Sequence, residues 1–416
     1  RVGAFRSTAW VSTTGTSERA KGSTGHLGAD RARRTRGVLP VLGVLFFVVL
    51  PGCSPYRPPP ATPPLIEARG TVRVVREASA PARVHVVLRA GSAYDPPSRE
   101  GLAFVVATAV ASSAGAAWSV GPELVQLSVP PEGVAALAVA LSAPLNAQSL
   151  HVGKATAVDR FEASDCAFVA SAVGDAWILA GHPYGHAVFG RSSVIPTLSL
   201  AEAESFRLNR WARGAAVIAV DGEVDVTPLL NMLTPALSSP ITPAVRSKVA
   251  MEDLVAIGPV TSSCSVVGPR RPETWSAADQ AAAAVAAALL GAPPLPSRVD
   301  PIVTLVLPDP EGALTPLIEG DFEGARERVR ARLAVPSAIP AAADLLLVPI
   351  RMGHAIPAAD VGSAVNALTA EGFRTWVTST FGEGAVRVAV FPDTATASTV
   401  ESTATMHVVT SEALLR

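Results

Sequence analysis

GSAYDPPSREGLAFVVATAV, residues 91–110, reads as a polar turn running into a helix that is apolar on almost every side. A helix of that composition is buried rather than amphipathic. It follows a polar turn holding Gly91, Ser92 and Asp95 and looks like a metal-binding helix from which the ligands are missing, since no imidazole or carboxylate stands on its first turns. The rest of the chain decides what such a helix is for.

With 416 residues, 49% hydrophobic and 17% charged, the chain is long enough for two or three domains with real cores. Lys+Arg 34 against Asp+Glu 35 leaves a formal net charge of -1, so no global field draws in nucleic acid or an anionic membrane surface. Partners must be recognised by shape. The abundance of Arg and Ala beside only Lys21, Lys154 and Lys248 carries no functional reading.

Arg31, Arg33, Arg34 and Arg36 precede an apolar run from Val38 to Leu50, the charge-then-apolar order of a secretory signal. The run falls short of the roughly 20 residues that a spanning helix needs. It ends in Leu50-Pro51-Gly52-Cys53, which resembles the lipobox of bacterial lipoproteins and makes Cys53 the expected lipid-attachment site. Residues 1–53 are therefore read as leader and lipoprotein signal peptide. Residues 54–65 follow as a tether whose Pro58, Pro59, Pro60, Pro63 and Pro64 favour an extended, semi-rigid spacer. The expected location is the bacterial cell envelope, lipid-anchored and facing the periplasm, with the outer membrane favoured over the inner. For Cys166 and Cys264, a disulfide and two buried free thiols are both open.

Residues 198–225 and 368–393 match without gaps at a constant offset of 170. Leu198 falls on Leu368, Ser199 on Thr369, Phe206 on Trp376, Trp211 on Phe381, Gly214 on Gly384, and Ile218 and Val220 on Val388 and Val390. Each copy reads as an N-cap hydroxyl, a helix with inward aromatics, a Gly stop and an alternating strand; Ser199 and Glu202 have capping-box spacing. A repeat this long is a duplicated domain, since solenoid units run at roughly 20 to 50 residues. The expected organisation is α+β with two homologous halves, 66–237 and 251–416, joined by a linker at 238–250. Each half is a largely antiparallel sheet with helices packed on one face.

VHVVLRAGSAYDPPSREGLAF (84–104), GHPYGHAVFG (181–190) and the repeat segment at 198–225 together resemble the insulinase and mitochondrial-processing-peptidase family of inverzincin metallopeptidases. More weakly, DQAAAAVAAALLGAPPLPSRVD (279–300) is similar to the family's second-half helix and Ser-Arg-Leu motif. The resemblance implies a His-x-x-Glu-His motif directly after Gly-Leu-Ala, where this chain has Phe104, Ala107 and Thr108. Two imidazoles at i and i+4 hold zinc, and a Glu takes the proton from bound water. Phe and Ala do neither, and one Thr hydroxyl is a poor zinc ligand. The third ligand of the family would fall in KATAVDRFEASD (154–165), where Asp159, Glu162 and Asp165 are unranked candidates. His182 and His186 are four apart, but Pro183 and Gly185 oppose a helix holding both on one face, so a local turn in which His182 caps is favoured. No catalytic residue, metal or cofactor is expected.

These readings imply a catalytically inactive homologue, a cell-envelope lipoprotein that pairs with a homologous zinc peptidase subunit. Peptides are a further candidate ligand and nucleic acid is not. The Pro-rich GAPPLPSRV (291–299) departs from the flexible Gly-rich loop that the family's substrate-handling partners carry. The alternatives are an envelope scaffold or assembly lipoprotein without peptide handling and, with least support, an active metalloendopeptidase with displaced ligands.

Overall fold

Runs such as VRVVRE, RVHVVL and AVIAVD place β-branched residues on both faces of a strand, and a sheet built from them needs cover on both sides. The computed structural model describes residues 65–69, 72–162, 166–211, 215–232, 253–258, 260–268, 276–292, 304–309, 313–347, 358–397 and 407–410. The signal segment, Cys53, nearly all of the tether and the 238–250 linker lie outside the described residues.

The first sheet is formed by β1 (Leu65–Arg69), β2 (Val72–Glu77), β3 (Arg83–Leu88), β4 (Ala117–Val120), β5 (Val125–Val129) and β6 (Ala216–Asp221), in the order β1-β2-β6-β3-β5-β4. Only β2 and β6 run parallel. The second sheet has β7 (Leu254–Ile257), β8 (Cys264–Gly268), β9 (Leu305–Leu307), β10 (Val386–Phe391) and β11 (His407–Thr410), in the order β11-β7-β10-β8-β9. Its β7–β10 and β7–β11 pairs are parallel, and β8–β10 and β8–β9 antiparallel. β2, β6, β3 and β5 thus repeat as β7, β10, β8 and β9 with the same pairing senses. Ile218, paired with Val74 and Val86, has its counterpart in Val388, paired with Leu254 and Val266. The duplication read from the offset of 170 is a duplication of topology.

The helices between the strands are α1 (Leu102–Ala114), α2 (Val134–Ser142), α3 (Ala147–Glu162), α4 (Cys166–Ile178), α5 (Leu200–Arg210) and α6 (Thr227–Met232) in the first half. The second half has α7 (Ala277–Leu289), α8 (Thr315–Ile318), α9 (Phe322–Leu333), α10 (Ile339–Leu347), α11 (Ala358–Ala367), α12 (Ala370–Phe381) and α13 (Thr394–Ala397). Ser199 and Glu202 form the predicted capping box on α5, and Thr369 accepts from the Gly372 N–H at the start of α12. α12 is closed by Gly382, with Gly384 left-handed just before β10; Gly214 lies outside the described residues. Asp279 closes a second capping box with Ser276 on α7.

Each half places most of its own helices on one face of its sheet. The opposite face is covered by a helix from the other half. Val75, Val87, Val217 and Ala219 of the first sheet pack against Ala338, Ala342 and Leu346 at and within α10. Reciprocally, Val169 and Val173 of α4 share a core with Leu254, Val266, Val388 and Val390 of the second sheet. α4 and α10 are themselves repeat equivalents, since the offset of 170 carries residues 169–177 onto 339–347. The resulting exchange merges both halves into one compact unit from Pro64 onward.

α1 and α3 approach closely at Gly153, where a Cβ would lie 2.4 Å from the carbonyl oxygen of Val105. Backbone cannot yield as a side-chain tip does, so Gly153→Ala is expected to lower stability by about 1–3 kcal/mol although alanine is the better helix former. Gly362 of α11 has open space at its Cβ position, and Gly362→Ala is expected to raise stability by about 0.5–1 kcal/mol. Urea midpoints of the two variants, read side by side, check both signs.

Candidate functional site

α1 is buried along nearly its whole length, from Leu102 to Ala111 and again at Ala114. Its start is fixed by two glycines with left-handed backbone: Gly101 (φ 96°) meets Gly190 (φ 86°) so closely that a Cβ on either would lie 2.7 Å from the other's Cα. Gly101 leaves the helix without a side-chain cap of its own. Asp95 supplies one from the preceding turn, accepting from the Gly101 N–H at 2.6 Å and the Ala103 N–H at 2.8 Å. Burial raises this carboxyl to about 8, the two N–H groups pulling it down and the nearby Glu100 pushing it up.

On this helix two of the three positions of the expected zinc motif hold hydrocarbon and the third a lone hydroxyl. Phe104 is 5% exposed and meets Trp118 of β4 edge to face, with ring centroids 4.8 Å apart. Ala107 and Thr108 are buried beside it, and the Thr108 hydroxyl has no hydrogen-bond partner. Of the candidates for a third ligand, Asp159 on α3 is exposed to solvent. The side chain of Glu162 and all of Asp165 lie outside the described residues. Among the described residues no group of three or more His, Cys, Asp or Glu side chains is gathered to hold a metal. A zinc ion does not fit this donor set: one unpartnered hydroxyl between a phenyl ring and a methyl group offers neither charge nor coordination number.

His182-Pro183-Tyr184-Gly185-His186 forms one tight turn. His182 Nδ1 accepts from the Tyr184 N–H at 3.1 Å, the local capping role read from the sequence, and His186 Nδ1 lies 3.3 Å from the Ser92 carbonyl. The turn delivers Tyr184 to a carboxylate that sequence reasoning missed. Glu123, 1% exposed, accepts from Tyr184 Oη at 2.6 Å on one oxygen and from Tyr94 Oη at 2.7 Å on the other. Burial, then the Glu123 charge, pushes the Tyr94 hydroxyl far up, and the Arg210 guanidinium stands 5.5 Å from its ring centroid. Both Glu123 oxygens are occupied by phenol donors, so the arrangement braces the 91–94, 121–124 and 182–186 turns against one another and does not present a free base. Glu-Leu at 123–124 looks like an ordinary surface pair in sequence, and no local signal marks it.

No family model and no curated protein matches the chain by sequence. Solved structures do match by shape. The peptidase M16 inactive domain from Pseudomonas fluorescens aligns with a TM-score of 0.54 at 17% identity, over 80% of this chain and 98% of that one. A chain of complex III from Candida albicans aligns at 0.57 and 13% identity, over 77% and 93%. The periplasmic protease PqqL from Escherichia coli aligns at 0.54 and 11% identity, over 82% of this chain and 49% of its own length. The chain has the two-half α+β fold of M16 peptidases, the fold of the insulinase family that the sequence resembles.

Phe104→His with Ala107→Glu and Thr108→His should destabilise the protein, because each polar group left unsatisfied in this core costs about 1–3 kcal/mol. A lower melting temperature in the triple variant is the expected result, and an unchanged one would show a pocket still open to water. For Asp95, the folded value of about 8 stands against 3.8 for the free side chain, so the folded state holds the proton more tightly. The contribution is fully present below about pH 4 and lost as pH rises through about 8. Denaturation between pH 5 and 8 should show wild type losing stability relative to Asp95→Asn, and a pH-independent difference would refute this.

Proposed function

We propose that this M16-fold chain is catalytically inactive and serves as the non-catalytic partner of a zinc endopeptidase of the same fold, tethered in the cell envelope through a lipid on Cys53. The observation that carries the reading is the contrast on one helix. α1 keeps its glycine start, its Asp95 cap and its close contact with α3, while Phe104, Ala107 and Thr108 fill the place where ligands and base would stand. The framework is kept and its chemistry replaced by packing.

Several findings support the reading. One similar structure is described as an inactive M16 domain, another belongs to complex III, and a third is a periplasmic protease. The signal-like run ending at Cys53 and the prolines behind it support export and a spacer that holds the fold off a membrane. A partner of the same fold would need an interface of roughly 1,200 Å² or more in total to form a stable pair.

Purified protein, dialysed mildly, is expected to carry well under one zinc per chain by elemental analysis. Affinity capture from detergent-solubilised membranes is expected to recover a homologue with an intact His-x-x-Glu-His motif, and adding this chain should raise that homologue's peptidase activity. A monomer that recovers no such homologue and changes no peptidase activity would hand the role to an envelope scaffold. Metabolic palmitate labelling should mark the wild type and not Cys53→Ala, and label retained by the variant would remove the lipid anchor from the reading.

A further inference from the structure

The exchanged helices α4 and α10 are equivalent in the repeat, yet they are held by different chemistry. α10 is gripped at both ends by polar side chains of the first sheet. Asp221 Oδ1 accepts from the Ala338 N–H at 2.7 Å and its Oδ2 from the Ser337 hydroxyl at 3.2 Å, at the helix N-terminus. At the other end Arg73 Nη2 donates to the Leu345 carbonyl at 2.8 Å. A carboxylate at the start and a guanidinium at the end both oppose the helix dipole. His85 backs this grip, with Nε2 3.2 Å from Asp221 Oδ2 and Nδ1 2.7 Å from the Ser128 hydroxyl. Ser128, His85 and Asp221 have the composition of a nucleophile triad, but the carboxylate is committed to the α10 N-terminus, and the array is a clamp.

α4 is held covalently. Cys166, its first residue, is disulfide-bonded to Cys264, the first residue of β8, across 98 residues of sequence. Both cysteines are buried, at 6% and 4% exposure. Towards the helix end Asp175 Oδ1 accepts from the Thr304 hydroxyl at 2.8 Å, next to β9. Between these points Gly174 lets α4 lie against Val266, where a Cβ would come within 2.8 Å of the valine side chain.

We propose that the Cys166–Cys264 disulfide is a redox latch on the α4 seam alone, so that reduction loosens α4 from the second sheet and leaves α10 clamped on the first. This inference does not depend on whether the chain is catalytic or has a partner. Closing the latch takes two protons and two electrons from the two thiols, and the electrons reduce the disulfide of a thiol–disulfide oxidoreductase to its dithiol. A dithiol reductant reverses the exchange. Burial of both sulfurs keeps the closed latch from small reductants except when the α4 N-terminus opens, so an oxidising compartment holds it shut.

Hydrogen exchange by mass spectrometry on the full chain tests this, with oxidised protein compared with the same protein reduced after folding. Peptides from α4 and β8 should exchange about thirtyfold faster or more once reduced, matching roughly 2 kcal/mol at the low end of typical disulfide contributions, while α10, β2 and β6 change by no more than the shift in global stability read from urea midpoints of the two forms. Cys264→Ser should reproduce the pattern, and if that variant does not fold the post-folding reduction alone decides. Arg73→Ala should accelerate exchange in α10 and not in α4. The proposal is overturned if Cys166 and Cys264 alkylate without prior reduction in protein from an oxidising compartment. It also falls if α4 exchange is unmoved by reduction, if α4 and α10 lose protection together, or if Arg73→Ala leaves α10 unchanged.

Discussion

Each sheet in this protein has two apolar faces, and among the described residues its own half's helices cover one while a helix of the other half covers the second. That exchange governs the architecture. Val75, Val87, Val217 and Ala219 on one sheet and Leu254, Val266, Val388 and Val390 on the other would face water in an isolated half. Burying a valine or leucine contributes about 1.5–3 kcal/mol, so baring these positions on a sheet would cost an amount comparable with the whole stability of an ordinary domain, about 5–15 kcal/mol. Lending a helix in each direction removes that cost on both sides. Everything else in the seam, from Asp221 to the disulfide, fixes where the lent helices sit.

The same rule explains how packing holds α1 in place. A helix apolar on all sides needs neighbours on all sides, and it has them in α3, α2, the sheet behind it and Trp118 against Phe104. Buried carboxylates and imidazoles without zinc would be unpaired charge in a low-dielectric core, whereas a phenyl ring and a methyl group gain from the same burial. The cap on Asp95 and the Tyr94–Glu123–Tyr184 brace position the helix end from outside residues 104–108. They hold it in place whatever occupies positions 104, 107 and 108.

Sequence reasoning reached the parts of this that are periodic or local. The alternating strands, the Ser199–Glu202 box, the His182 turn and the offset of 170 are signals within a few residues or along one constant shift. The helix-on-one-face expectation held for most of each half's own helices. The cover on the other face was not legible, because α4 and α10 have the composition of any buried helix and nothing in it says which sheet they meet. Glu123 and Asp221 escaped for a related reason. A buried carboxylate is recognised by its hydrogen-bond partners, and those lie 29 to 136 residues away. Cys166 and Cys264 stood open in sequence as thiols or a bridge, and the exchange of α4 is what brings the pair together.

The reciprocal lending of α4 and α10 also bears on how such a chain came to exist. Because the two helices are repeat equivalents, a single half on its own would carry the same helix off its sheet and leave one face of that sheet bare. Two copies related by a twofold axis would have solved the problem at once, each inserting its helix beneath the other's sheet in a closed, self-complementary pair. Joining two such genes would turn that swap into an intramolecular one and free each copy to diverge. The carboxylate and guanidinium that hold one lent helix and the sulfur bridge that holds the other are what divergence from identical halves would leave, and the reciprocal exchange is the arrangement that a fused homodimer would keep in its core.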